Sequence, residues 1–172
     1  MKTFYIIWVI IVILLVISTV LPRDFELKSE IVIQAPVQKV RDYVTVFANQ
    51  KEYSVRVMAD PDVKLTYSGT DGTVWSSQSW DSSMQNVWAG KQTIIALDPL
   101  KSMDVQIDFS RPIQSTNYAK TILQAIDNNQ TKMTTIFYGS NSRPSNVMNY
   151  FFLPQVQKDM DANSQNLKQK LE

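Results

Sequence analysis

FELKSEIVIQAPVQKVRDYVTVF, residues 25–47, passes from a strand pattern to a helix pattern across one proline, and the rest of the chain is read outward from that change. Residues 25–34 are mostly β-formers, with Leu27, Ile31 and Ile33 on one face of a period-two ladder. Pro36 stands where a helix can begin, because a missing N–H is no loss in the first turn. Beyond it Val37, Val40, Tyr43, Val44 and Phe47 recur at spacings of three and four, which predicts a short amphipathic helix.

The middle of the chain reads as antiparallel strands joined by turns. Val63, Leu65 and Tyr67 alternate with polar residues and run into Ser68-Gly69-Thr70-Asp71-Gly72, a turn whose glycines accept positive φ. A strand near residues 73–80 ends at the turn Asp81-Ser82-Ser83. Residues 84–97 are long for one strand, and Ala89-Gly90 inside them predicts a bulge or sharp bend before the turn Asp98-Pro99-Leu100-Lys101. Met103, Val105, Ile107 and Phe109 then alternate against Ser102, Asp104, Gln106 and Asp108, the cleanest half-buried strand present. Strands near 115–127 and 131–139 flank the turn Asn128-Asn129-Gln130. A sheet of about seven strands with one wet face needs a cover for the other. The C-terminal segment supplies it, since Phe152, Val156, Met160, Leu167 and Leu171 keep helical spacing, with a kink or a helix break expected at Pro154. The fold class is therefore α+β.

Composition narrows the chemistry. Charge is balanced, 17 Lys+Arg against 16 Asp+Glu, with no long basic run, so nucleic acid is not an expected partner. The chain has neither cysteine nor histidine. That removes thiol nucleophiles, Ser-His-Asp triads and thiolate or imidazole metal sites. No metal or organic cofactor is implied.

Residues 4–21 carry no charge and are rich in Ile, Val and Leu, with Tyr5 and Trp8 near one end. As a helix the stretch is about 27 Å long, close to the hydrocarbon thickness of a bilayer. A cleaved signal peptide is the alternative, but Ser18-Thr19-Val20-Leu21-Pro22 has no small-x-small cleavage site. The expectation is a transmembrane anchor over residues 1–22, single-pass, with the domain of residues 23–172 on the extracytoplasmic side.

Beyond the anchor the chain resembles the START-like (SRPBCC) superfamily, in its polyketide cyclase/dehydrase-like group. The resemblance is carried by EIVIQAPVQKVRDYV (30–44), VKLTYSGTDGTVW (63–75), WAGKQTIIALDPLKSMDVQIDF (88–109), and TKMTTIFYG followed by NVMNYFF and NLKQKLE. It implies a helix-grip fold, a curved antiparallel sheet around a long C-terminal helix with an apolar cavity between them. The function implied is binding of a lipid or other small hydrophobic molecule in that cavity. The alternative is a polyketide cyclase or dehydratase-like enzyme acting on a ligand in the same place, and a weaker third is a protein–protein interaction role with a closed interior.

Candidate cavity residues are Trp75, Trp80, Trp88, Phe109, Tyr118, Phe137, Met148, Phe151 and Phe152, with Tyr138 beside them; any of these can equally be ordinary core. Asn146 and Asn149 read as capping residues near a helix start. Asp81, Asp104, Asp108 and Glu52 could serve as acids or bases, and Arg56, Arg111 and Arg143 as anion holders, but alternation points most of them outward. No catalytic residue is assigned.

Overall fold

The computed structural model describes residues 2–84, 87–111 and 113–172. The expected strand over residues 84–97 thus falls in part on Gln85 and Asn86, outside the described residues.

The chain runs through α1 (Lys2–Val20), β1 (Asp24–Ile33), α2 (Val37–Val44), a 3₁₀ segment (Phe47–Glu52) and α3 (Val55–Ala59). Six strands follow, β2 (Lys64–Ser68), β3 (Ser77–Asp81), β4 (Ala89–Asp98), β5 (Ser102–Arg111), β6 (Ser115–Asp127) and β7 (Gln130–Ser140). A second 3₁₀ segment (Ser145–Met148) leads into α4 (Asn149–Leu171). The strands form one seven-stranded sheet in the order β1-β7-β6-β5-β4-β3-β2, and every pair described is antiparallel. The helices between β1 and β2 carry the chain from one sheet edge to the other.

In β1 the period-two reading holds: Ile31 and Ile33 are buried while Lys28 and Glu30 are exposed. Ile31, Ile33, Val40, Val44, Leu123, Met133, Leu167 and Leu171 form one core cluster, joining β1, α2 and the C-terminal half of α4. Phe47, Ile94, Met103 and Val105 form another on β4 and β5. Asp71 ties the β2–β3 connection to the first 3₁₀ segment, accepting from the backbone N–H groups of Phe47 at 2.8 Å and Ala48 at 3.0 Å. Those donors are otherwise orphaned at a helix start. Residues 73–76 are turned, with the N–H of Thr73 bonded to the carbonyl of Thr70 at 3.2 Å and that of Ser76 to Thr73 at 3.1 Å, so the strand expected from Thr73 begins only at Ser77.

The bulge expected at Ala89-Gly90 is present as a register shift between β4 and β5. Gly90 is required there, since a Cβ would lie 2.6 Å from the carbonyl oxygen of Asp108 and 2.8 Å from the ring of Trp80. Pro154 neither splits nor ends α4, which is continuous over 23 residues. Its ring removes the bond to the carbonyl of Tyr150, a residue on the exposed side of the helix.

The transmembrane expectation is corrected. Among the described residues no helix is long and apolar enough to cross a membrane. α1 has 19 residues, which is about 28 Å against a hydrocarbon core of about 30 Å, and Lys2 stands at its start. The large apolar side chains from Phe4 to Ile17 are all exposed, and they are spread around the helix rather than gathered on one face.

Strand register brings one set of chain ends together. Asp24 pairs with Ser140, Asn117 with Gly139, Phe109 with Ser115, Ala89 with Arg111, and Asp81 with Ala89. The start of β1, the β3–β4 and β5–β6 connections and the segment after β7 therefore share one end of the sheet, the end at which α1 is attached.

Replacing Gly90 by alanine is expected to destabilise the fold by about 1–3 kcal/mol, because both neighbours are held, one as backbone and one as a packed indole; a denaturant midpoint unchanged from wild type would contradict it. On the outer face Lys28 at 2.8 Å and Lys132 at 3.1 Å hold the carboxyl of Glu30 down to about 2 from an ordinary 4.5. The stabilisation these pairs give is present above pH 4.5 and lost as pH falls through about 2. Carboxyl NMR titration of the Lys132→Met variant should show Glu30 titrating at higher pH than in wild type.

Candidate functional site

α4 crosses the concave face of the sheet and is held along β1, where Gln157 donates to the carbonyl of Lys28 at 3.0 Å and its C-terminal half packs most tightly. Leu167 and Leu171 are buried in the β1 and α2 cluster, and Ser29 and Ser164 hydrogen-bond at 3.0 Å between strand and helix. Lys168 donates to the carbonyl of Val32 at 2.9 Å. Farther back along α4, Asn163 accepts from the N–H of Val55 at 2.8 Å, and Asp159 pairs with Arg56 at 2.7 Å. Between these pins and the sheet lies a cavity of about 350 Å³.

Its walls follow from strand alternation. β5 contributes Met103, Val105, Ile107 and Phe109, the four apolar positions its pattern singles out. β6 contributes Ser115, Asn117, Ala119 and Thr121, and β7 contributes Met133, Thr135 and Phe137. From α4 come Phe152, Val156, Met160, Asn163, Ser164 and Leu167. The hollow exists because β6 presents small side chains where β5 and β7 present large ones, leaving space that α4 does not fill.

One flank is closed by aromatic rings in edge-to-face contact. Trp80 meets Phe109 at 5.8 Å, Phe109 meets Trp88 at 5.5 Å, and Trp88 meets Phe152 at 5.5 Å, so the run passes from sheet to helix. Trp88 is fixed by a left-handed backbone, φ 68°, and by the guanidinium of Arg56 stacked 4.9 Å from its ring centre. Arg56 is the one charged side chain on the wall among the described residues, and Asp159 neutralises it.

The polar part of the wall is otherwise uncharged. Gln78 and Gln92 are cross-strand partners on β3 and β4, and Gln92 donates to Gln78 at 2.5 Å and to Gln50 at 2.6 Å. Gln78 is 1% exposed and in turn donates to the Tyr67 hydroxyl at 3.3 Å. Asn117, 4% exposed, donates to Ser115 at 3.2 Å, while its Oδ1 has no partner among the described residues. Burial pushes the Tyr53 phenol, also on the wall, above its ordinary range, so it stays a neutral hydroxyl.

Of the sequence-selected residues, Trp80, Trp88, Phe109, Phe137, Met148 and Phe152 line the cavity. Trp75, Tyr118 and Phe151 do not. Trp75 sits in the turn before β3 with φ 71° and is 73% exposed. Tyr118 points to the outer face and stacks on Tyr138 at 5.6 Å, because Asn117 takes the inward position. Phe151, 68% exposed, lies one residue from Phe152, a rotation of about 100° around the helix. Arg111 is engaged by Asp81, and Asn146 caps the end of α1 rather than a helix start of its own. The amides of Gln50, Gln78, Gln92 and Asn117 were not selected; the alternation Ser115, Asn117, Ala119, Thr121 is the signal that could have found the last of them.

Residues 24–172 match the family described as polyketide cyclase / dehydrase and lipid transport. No curated protein matches this chain. Among solved structures, the Zhui aromatase/cyclase from a Streptomyces species aligns at 10% identity and TM-score 0.65, covering 86% of this chain and 93% of that one. Ara h 8.0201 aligns at 13% and 0.63, covering 86% and 97%. A protein from Nitrosospira multiformis aligns at 15% and 0.60, again covering 86% and 97%. At such identities these likenesses show the fold.

Changing Gln78 to leucine removes both an acceptor for Gln92 and the donor to Tyr67, and is expected to cost about 1–3 kcal/mol in unfolding free energy. Equal stability of the variant in urea would show that the three amides are not coupled as described.

Proposed function

The chain belongs to the polyketide cyclase / dehydrase and lipid transport family, and from that premise we propose that it is a membrane-held module which binds one small hydrophobic molecule between its sheet and α4. The observation that carries this reading is the cavity itself, about 350 Å³ and walled mainly by apolar side chains. That volume lies within the range of small-molecule sites. An apolar guest gains by leaving water for such walls, at roughly 25 cal/mol per Å² of apolar surface removed.

The polar groups on the wall narrow the guest. Among the described residues a ligand carboxylate would meet a single cation, Arg56, already paired with Asp159 at 2.7 Å. The amides of Gln50 and Gln92 and the free acceptor of Asn117 suit a neutral hydroxyl, carbonyl or amide. The proposed ligand is therefore a lipid, isoprenoid or similar apolar molecule with an uncharged polar group.

Membrane attachment through α1 is the second part of the proposal. It is supported by apolar side chains exposed on every face, a surface that water penalises and lipid does not.

Mass spectrometry of an organic extract from the purified full-length protein tests the binding reading. An apolar compound near one equivalent is expected from wild type. It should fall at least about tenfold in Thr135→Trp, whose indole occupies the hollow. An extract from wild type no richer than buffer would overturn the reading, as would equal amounts from a well-folded Thr135→Trp protein.

A further inference from the structure

We propose that the mouth of the cavity faces the bilayer surface, so that the ligand passes between membrane and cavity without crossing bulk water. The inference rests on the membrane reading of α1 and adds a direction to it. Four observations carry it.

First, the last turn of α1 is clamped. Arg143 donates from Nε to the carbonyl of Ser18 at 2.9 Å and from an Nη to that of Thr19 at 3.0 Å. Asn146 donates from Nδ2 to the carbonyls of Ser18 at 2.8 Å and Leu21 at 3.0 Å. These acceptors are left open at any helix C-terminus, and here their donors come from the segment that leads into α4. The N–H of Asn141 also donates to the carbonyl of Arg23 at 3.0 Å, so the linker is held as well. α1 is thus joined to the domain as a rigid extension.

Second, that clamping segment lies on the cavity rim. Asn141, Ser145, Met148 and Asn149 line the hollow, as does Ile113 from the β5–β6 connection at the same end of the sheet.

Third, the same end carries exposed apolar side chains. Tyr150 is 74% exposed, Phe151 68%, Ile113 47% and Met148 37%. Two aromatic rings on one helical turn, beside an apolar helix end, fit the headgroup and acyl boundary of a bilayer. Fourth, the 3₁₀ segment that carries Met148 is the one whose Asn146 clamps the last turn of α1, so the patch and α1 meet at one short segment. The occupant assigned to the patch is therefore lipid, the same partner that α1 requires.

Since the chain has no cysteine, a single one introduced at a chosen site labels cleanly. Full-length Phe151→Cys, Ile113→Cys and Asn128→Cys proteins are labelled with an environment-sensitive fluorophore, reconstituted into phosphatidylcholine vesicles and exposed to doxyl-labelled phosphatidylcholine. Quenching at 151 and 113, with none at 128 in the opposite β6–β7 turn, is the expected result. A Tyr150→Asp/Phe151→Asp protein should take up a fluorescent fatty alcohol from such vesicles at least about tenfold more slowly, with its affinity in detergent unchanged.

Vesicle flotation separates the two readings. A protein that floats with vesicles while labels at 151 and 113 stay unquenched overturns the lipid-facing mouth and leaves membrane attachment standing. A protein that does not float overturns both. Shielding of the label by a second protein copy instead of lipid also overturns the proposal.

Discussion

The placement of α4 is the constraint on which the rest of the molecule depends. A curved sheet with an apolar concave face must be covered, and one helix cannot follow a twisted, curved surface along its whole length. The chain meets this by packing Leu167 and Leu171 tightly into the β1 and α2 cluster and letting the other half of the helix stand away from β5 and β6. Polar contacts from Ser29, Val55 and Arg56 hold the helix at that separation. Directional bonds set a distance, whereas apolar packing alone would drive the helix down until the gap closed.

How far this was legible in the sequence differs by feature. The seven strands, their turns, the bulge at Gly90 and the covering helix follow from alternation and spacing, since one face wet and one face dry leaves a trace in every strand. The wall of the hollow is only half legible. β5 announces its inward face because Met103, Val105, Ile107 and Phe109 are all large and apolar. β6 hides its inward face because a hollow requires small residues there, and Ser115, Asn117, Ala119 and Thr121 do not look like core. Reading for bulk therefore chose Tyr118, which faces outward. Trp75 and Phe151 are equally bulky yet lie outside the cavity, because one sits in a left-handed turn and the other on a helical phase that composition does not encode.

The polar lining was missed for a related reason. Gln50, Gln78 and Gln92 come from three separate elements and meet only because β3 pairs with β4 in the observed register and the first 3₁₀ segment folds back on both. No local pattern marks such a meeting. An amide trio inside an apolar wall is expensive unless each member is satisfied, and the bonds from Gln92 to both partners provide that. A guest that hydrogen-bonds there has to replace those bonds, so the trio favours a ligand able to offer both a donor and an acceptor. Asn117 differs, because its open acceptor loses nothing when a guest hydroxyl reaches it.

The clamp on α1 links these parts. Asn146 is 1% exposed and Ser18 is 2% exposed, so the junction of the N-terminal helix and the domain is a buried polar contact and not a loose hinge. A tether of any length would keep a domain near a membrane, but only a fixed junction can orient one. The residues that fix it, Arg143 and Asn146, lie in the short segment that also delivers Met148 and Asn149 to the cavity wall. The clamp on α1 and part of the cavity wall are thus one short piece of chain.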